Sequence, residues 1–312
     1  MRSIILDCDP GHDDAVAILL AAGNPSIDLI GVTTVGGNHT LDKVTFNARQ
    51  VLTIAGLGDV PLHAGATRPL LREVETAEGI HGDSGMEVHG FELPAPAVEV
   101  AEGHAVQWII DTIMSREPGT VTLVPTGPLT NIALAARLEP RIVSRVREVV
   151  LMGGAYGTGN WTASAEFNIA VDPEAAQIVF REDWPLTMVG LDLTHQALAA
   201  PEVEKRFASL GTDVGDFVVA LFGAFRTNYR DAQGFVDPPV HDPCCVAYLI
   251  DPAVVETVRV PVDVETRGEL TAGRTVADFR APAPADCRSQ VATRLDVERF
   301  WDLVVDAARA LG

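Results

Sequence analysis

Asp7-Cys8-Asp9-Pro10-Gly11-His12-Asp13-Asp14 places four carboxylates within eight positions. Like charges this close repel and raise one another's pKa unless a cation sits among them. A helix start enriched in acids, favoured by the helix dipole, would account for Asp13 or Asp14 alone, but not for all four. Pro10-Gly11 predicts a tight turn that aims Asp9 and Asp14 at one point from opposite sides. A donor set dominated by aspartate makes a hard, all-oxygen site, which points to Ca2+ or Mg2+ rather than zinc. Composition does not choose between those two.

Further clusters fall where strand ends are expected. Gly36-Gly37-Asn38 combines glycines that permit unusual backbone angles with an amide that can reach a ligand, though a simple turn needs no more. In T-G-P-L-T-N at 126–131 an outward Thr126 carbonyl would suit a calcium shell, while Pro128 also fits a plain helix start. The glycine-rich run 153–168 carries Asn160, Glu166 and Asn168, groups suited to several sugar hydroxyls. It holds no Lys or Arg and no Walker spacing, which weighs against phosphate. Tyr156, Trp161 and Phe167 argue for a packed loop. In V-H-D-P at 240–243, Asp242 suits a helix N-cap, and His241 is expected to titrate near neutrality as the acid for a leaving group.

Alternating elements must position these clusters. Short apolar runs at Ile4–Leu6, Leu29–Val35, Val121–Val124, Val149–Met152 and Leu186–Val189 read as strands. Helical periodicity marks Asp13–Ala22, Leu41–Ala55, Ala105–Arg116, Thr130–Arg137 and Pro173–Arg181. That order predicts an α/β fold of one domain over residues 1–312, with a mostly parallel central sheet flanked by helices, open and Rossmann-like. Ligands gather at the carboxyl ends of such strands. Segment 68–100 reads as a long irregular excursion covering a site, and 201–235 as helix followed by a loop at 223–237. The tail from Thr257 predicts extra strands and a final amphipathic helix, Val297–Leu311.

The 312 residues carry 43 acidic and 23 basic side chains, a formal charge of −20, which repels nucleic acid, anionic membranes and charged substrates. A neutral small molecule fits better. The N-terminus lacks signal-peptide features, no run is long enough to span a bilayer, and four cysteines without motif spacing are expected reduced. These features predict a soluble, cytoplasmic protein.

Taken together, D-C-D-P-G-H-D-D, G-G-N at 36–38, T-G-P-L-T-N at 126–131, M-G-G at 152–154, N-W-T…A-E-F-N at 160–168 and H-D-P at 241–243 resemble the inosine–uridine preferring nucleoside hydrolases. The resemblance spans nearly the whole chain, with the motifs in family order. It implies calcium-dependent hydrolysis of the N-glycosidic bond of ribonucleosides, giving free base and ribose. Asp9, Asp14, Asp242 and the Thr126 carbonyl would hold Ca2+, and Asp9 would also be the general base. Asp13, Asn38, Asn160, Glu166 and Asn168 would bind the ribose, with Met152 packing nearby. His241 would assist the departing base, and His81, with Tyr229, would line the base pocket. His12 falls within the family's variation, and Asp7 is expected to support the loop from behind. A broad, inosine/uridine or pyrimidine preference is implied, as is a homodimer or homotetramer.

Two other classes fit parts of the pattern. D-x-D after a first strand also opens phosphatases that form an aspartyl-phosphate with Mg2+, where Asp7 would be the nucleophile. That reading leaves 160–168 unexplained. A calcium-loaded nucleoside or sugar binder without turnover would need the same site.

Overall fold

Period-2 alternation in the first strand divides the interior. In the computed structural model, which describes residues 1–312, Ile4, Leu6 and Cys8 pack into one apolar core while Ile5 packs into another, so the sheet is buried on both faces. Val150 and Met152 against Val149 and Leu151 repeat the division further across the sheet.

The strands are β1 (Arg2–Cys8), β2 (Ile27–Thr34), β3 (Leu62–Ala64), β4 (Val121–Pro125), β5 (Val146–Met152), β6 (Leu186–Val189), β7 (Val255–Arg259), β8 (Val262–Val264), β9 (Thr275–Ala277) and β10 (Ser289–Leu295). Eight of them form one sheet in the order β3-β2-β1-β4-β5-β6-β10-β7, while β8 and β9 pair separately. All neighbours in the large sheet are parallel except β7, which closes one edge antiparallel to β10. The molecule is therefore a single α/β domain. Because β1 lies between β2 and β4, the connections leaving these strands diverge and open a crevice at their carboxyl ends.

The helices are α1 (His12–Gly23), α2 (Leu41–Ile54), α3 (Glu78–His81), α4 (Ala105–Ser115), α5 (Thr130–Leu138), α6 (Phe167–Val171), α7 (Pro173–Arg181), α8 (Leu191–Thr194), α9 (Pro201–Ala208), α10 (Asp213–Gln233), α11 (Pro243–Ile250) and α12 (Val297–Leu311). α1 is buried from His12 to Ala21 because α11 and α12 pack against it over the sheet. α12 buries Phe300, Trp301, Val304, Val305 and Ala308, one apolar stripe, as its periodicity predicts.

The expected loop at 223–237 is mostly helix: α10 continues through Gly223 to Gln233 and stops at Gly234, whose φ of 75° is left-handed. Phe217, Val218, Leu221, Phe222, Phe225 and Tyr229 supply the apolar periodicity, which outweighs one helical glycine. Segment 68–100 is irregular as expected, apart from the single turn of α3. No helix is long and apolar enough to cross a membrane.

Candidate active site

The acidic motif sits where β1 ends and α1 begins. Asp9 follows β1 directly, whereas Asp13 and Asp14 lie in the first turn of α1. Asp14 is fixed on three sides: its Oδ2 accepts from Gly11 N and Asn38 Nδ2, and its Oδ1 from Thr126 Oγ1 at 2.8 Å. The Asn38 backbone N–H donates to Asp9 Oδ2 at 2.6 Å. Asp9 itself is wedged between two loops, since a Cβ at Gly127 would lie 2.5 Å from its Oδ1 and one at Gly37 would run into its Oδ2. Both glycines are required by this close approach rather than by a turn.

Asp242 joins from the start of α11. It occupies the N-cap position but caps nothing; its carboxylate turns instead toward Asp13 and Asp14, and oxygens of the three lie within 4.8 Å of one another. Asp9 stands outside that trio, below the pocket floor, and its buried Oδ1 has no hydrogen-bond partner. No Lys or Arg pairs with Asp9, Asp13, Asp14 or Asp242. Burial, with the neighbouring acids, pushes Asp9 and Asp242 well above the usual carboxylate range and Asp13 to about 7. A sealed orphan oxygen amid unpaired carboxylates is an arrangement that fits a hard divalent cation.

Asp7 points to the opposite side of β1 and accepts from Thr33 Oγ1 and Asn131 Nδ2. It lines no part of the pocket and its Oδ1 is taken up by Thr33 and Asn131, which fits support of the loop from behind rather than a nucleophile.

A cavity of about 410 Å³ opens above the cluster. Asp13, Asn38, Thr126, Met152, Asn160, Glu166, Asn168 and Asp242 line it together with His81, Phe225, Tyr229 and His241. Asn168 Nδ2 donates to the carbonyls of Thr126 at 2.8 Å and Met152 at 3.2 Å, tying the ends of β4 and β5 together. Glu166 caps α6: its two oxygens accept from Gly154, Asn168 and Ile169 backbone N–H groups, yet burial still pushes it to about 7. Asn160 Oδ1 accepts from Phe167 N, leaving its amide nitrogen for the pocket.

His241 is held between two hydroxyls, Thr194 Oγ1 at Nδ1 and Tyr229 Oη at Nε2, each 2.7 Å away. Its backbone N–H reaches Asp13 Oδ2 at 3.3 Å. Burial, and then His195, push its pKa well below the ordinary value, which runs against the expectation that it titrates near neutrality and favours the uncharged imidazole. An uncharged ring between two hydroxyls accepts at one nitrogen and donates at the other, so the line Thr194–His241–Tyr229 can relay a proton.

The sequence model described as inosine-uridine preferring nucleoside hydrolase matches residues 4–302. The chain belongs to this family. An inosine-uridine preferring nucleoside hydrolase of Crithidia fasciculata is 57% identical over 312 residues, covering 100% of this chain and 98% of that protein. A pyrimidine-specific ribonucleoside hydrolase of Escherichia coli O157:H7 is 45% identical over 99% of this chain and 97% of that one. Among solved structures, a purine-preferring ribonucleoside hydrolase from Gardnerella vaginalis superposes with a TM-score of 0.92 at 34% identity, covering 99% of both chains.

In this nucleoside hydrolase the residues expected to bind substrate line the pocket together with Thr126, His241 and Asp242, while Asp9 and Asp14 are bonded to Asn38 of its lining and Asp7 stays outside it. Thr194, Phe225 and the stretch Thr76–Ile80 escaped sequence reading. Gly190-Leu191-Asp192-Leu193-Thr194-His195, directly after β6, carries the same strand-end signal as the other clusters and could have been found by it. Phe225 could not, because on α10 it is one apolar residue among many. No indole comes from 68–100, but Trp161 enters the pocket from the glycine-rich loop, its Nε1 donating to Glu75.

Proposed function

We propose that this nucleoside hydrolase cleaves ribonucleosides with a broad inosine/uridine or pyrimidine preference, in a calcium-dependent reaction that releases free base and ribose. The observation that carries this reading is one cavity with unpaired carboxylates at its floor and a hydroxyl-flanked imidazole farther along its wall. Asp9, Asp14, Asp242 and the Thr126 carbonyl would hold the ion. Bound there, Ca2+ would supply charge that orients a diol and acidifies a water.

The residues supply the rest. Asp13, Asn38, Asn160, Glu166 and Asn168 offer donors and acceptors for ribose hydroxyls. Carboxylates beside the ring stabilise positive charge as the C1′–N bond lengthens toward an oxocarbenium-like state. Asp9 Oδ1, with no other partner, takes a proton from the attacking water. The departing base needs a proton or a strong hydrogen bond, which His241 and Tyr229 deliver through the short contact between them. Met152 packs beside Asn168 and keeps that amide aimed into the site.

The relatives' names favour the base preference, since the 57% identical Crithidia protein is inosine-uridine preferring and the 45% identical Escherichia protein pyrimidine-specific. A homodimer or homotetramer in the cytoplasm, free of nucleic-acid or membrane partners, completes the proposal on the resemblance and the acidic composition. Reducing-sugar release from inosine, adenosine, guanosine, uridine and cytidine, with and without a calcium chelator, tests it. Chelator-sensitive ribose release that Asp9→Ala abolishes is expected. Silence across the panel with calcium present and the protein folded would leave a nucleoside binder instead.

A further inference from the structure

His12 does no work in the mechanism above, yet it is fully buried beside the pocket. Its Nε2 lies 2.8 Å from the carbonyl of Glu87, and its Nδ1 lies 3.0 Å from Nδ1 of His81. Phe225 stacks on both rings, at 4.7 Å and 11° from His12 and 5.8 Å and 24° from His81. Gly11 has no Cβ to push the His81 ring away. We propose that His12 is a positioning residue: held between the Glu87 carbonyl and His81, it fixes His81 Nε2 as a hydrogen-bond acceptor, so the pocket selects substrates that offer a donor there.

Proton counting carries this. A carbonyl oxygen only accepts, so His12 Nε2 bears the hydrogen. The ring is buried in an aromatic stack with no carboxylate hydrogen-bonded to it, which keeps it neutral and leaves Nδ1 bare. The 3.0 Å pair then needs its proton from His81 Nδ1, and His81 Nε2 is left with a lone pair. That nitrogen has no protein partner and is not sealed off, while its ring lines the cavity. The backbone N–H of His12 lies 3.4 Å from the same Nδ1. Were it the donor, two lone pairs would face each other at 3.0 Å, or His12 would carry a charge inside the stack.

The selected chemistry rests on the nucleoside reading. Apart from the 2′- and 3′-hydroxyls, which the proposed reading directs at the ion, uridine and inosine offer two donors, the 5′-hydroxyl and the lactam N–H of the base. Adenine and cytosine present a bare ring nitrogen in place of the latter.

Nitrogen-15 NMR of histidine-labelled, substrate-free protein tests the relay directly, with the His81 signals identified by their loss in His81→Gln. A proton on Nδ1 and a bare Nε2 are expected. His12→Leu should return His81 to mixed tautomers, whereas His12→Asn, which places an oxygen where Nδ1 was, should keep the wild-type state. A wild-type His81 protonated on Nε2, or a tautomer unmoved in His12→Leu, overturns the proposal.

The kinetic arm compares uridine, 5′-deoxyuridine and 3-methyluridine. Wild type should lose about tenfold in kcat/KM, chiefly through KM, on the analogue that lacks the selected donor. In His12→Leu that penalty should shrink to within about twofold, and the analogue concerned identifies which donor is read. Penalties equal in both proteins for both analogues overturn the selection. A wild type that cleaves no nucleoside sinks the hydrolase reading instead, while the spectrum still decides the relay.

Discussion

Tyr229 Oη and His241 Nε2 stand 2.7 Å apart, and the opposite imidazole nitrogen is equally close to Thr194 Oγ1. A neutral His241 in this line donates through one nitrogen only by receiving through the other, so hydroxyls and ring act as a unit. His241→Ala should cost about 10²–10⁴-fold in kcat on inosine and uridine, the usual worth of general acid catalysis. Tyr229→Phe should cost about tenfold, the worth of one hydrogen bond, and Thr194→Val a similar amount. Steady-state kinetics on a nucleoside and on 4-nitrophenyl riboside, whose leaving group needs no proton, checks this. Equal losses on the two substrates would remove the line from the proton path.

Asp9 Oδ1 is buried without a partner, and its carboxylate is held far above its ordinary pKa by burial and by Asp14. Asp9→Asn removes, at nearly constant shape, the carboxylate that a cation would hold ionised. The variant should melt at or above the wild-type temperature without metal, gain less from added calcium, and lose at least about 10²-fold in kcat. Calorimetry with and without Ca2+, alongside ribose release, reads all three effects.

The pH dependence follows from the same burial. Asp7, Asp13 and Glu166 are each pushed up to about 7, above an ordinary value near 4. Between those values the unfolded chain has released protons that the metal-free native protein still holds. Native protein therefore binds more protons, and its stability falls as pH rises through this window. The melting temperature without metal should drop between about pH 4 and about pH 7, and calcium should raise it more at the upper end. A flat profile without metal would contradict this.

Gly127→Ala introduces a methyl 2.5 Å from Asp9 Oδ1. Because the loop is packed, the carboxylate must yield, and a displacement on the order of 1 Å costs about 10²-fold in activity. Gly56→Ala is a control of a different kind: nothing lies near its Cβ, but its φ of 70° strains any side chain. It should lower the melting temperature and leave kcat and KM as they are.

The alternation of strands and helices was legible because both faces of the sheet are covered, so each strand reads as a short apolar run. The acidic motif, Asn38 and Thr126 were legible because each sits at or just past a strand end, and Asn168 because the glycine-rich loop that leads to it leaves β5. Asp242 was found, but its expected capping role was displaced by the cluster, a choice made by residues more than 200 positions earlier. The neutral state of His241 was not legible, since it depends on how completely α10 and the end of β6 bury the ring. α10 beyond Gly223 was missed for a local reason: glycine, asparagine and arginine there read as a loop, while the four-residue spacing of Phe217, Leu221, Phe225 and Tyr229 shows only when followed across Gly223.

Cation and ribose groups come chiefly from turns welded to β1, β4 and β5 by the sheet's own hydrogen bonds, whereas His81, Phe225 and Tyr229 come from α3 and α10, which lie outside the sheet. A single side-chain hydrogen bond, Asn228 Nδ2 to the Ile80 carbonyl, joins those two outer pieces. The carboxylate cluster and the outer wall of the pocket thus rest on separate supports. His81 and Phe225 can therefore differ without disturbing the carboxylate cluster, whereas Tyr229 cannot change alone, because its hydroxyl ties the outer wall of the pocket to His241.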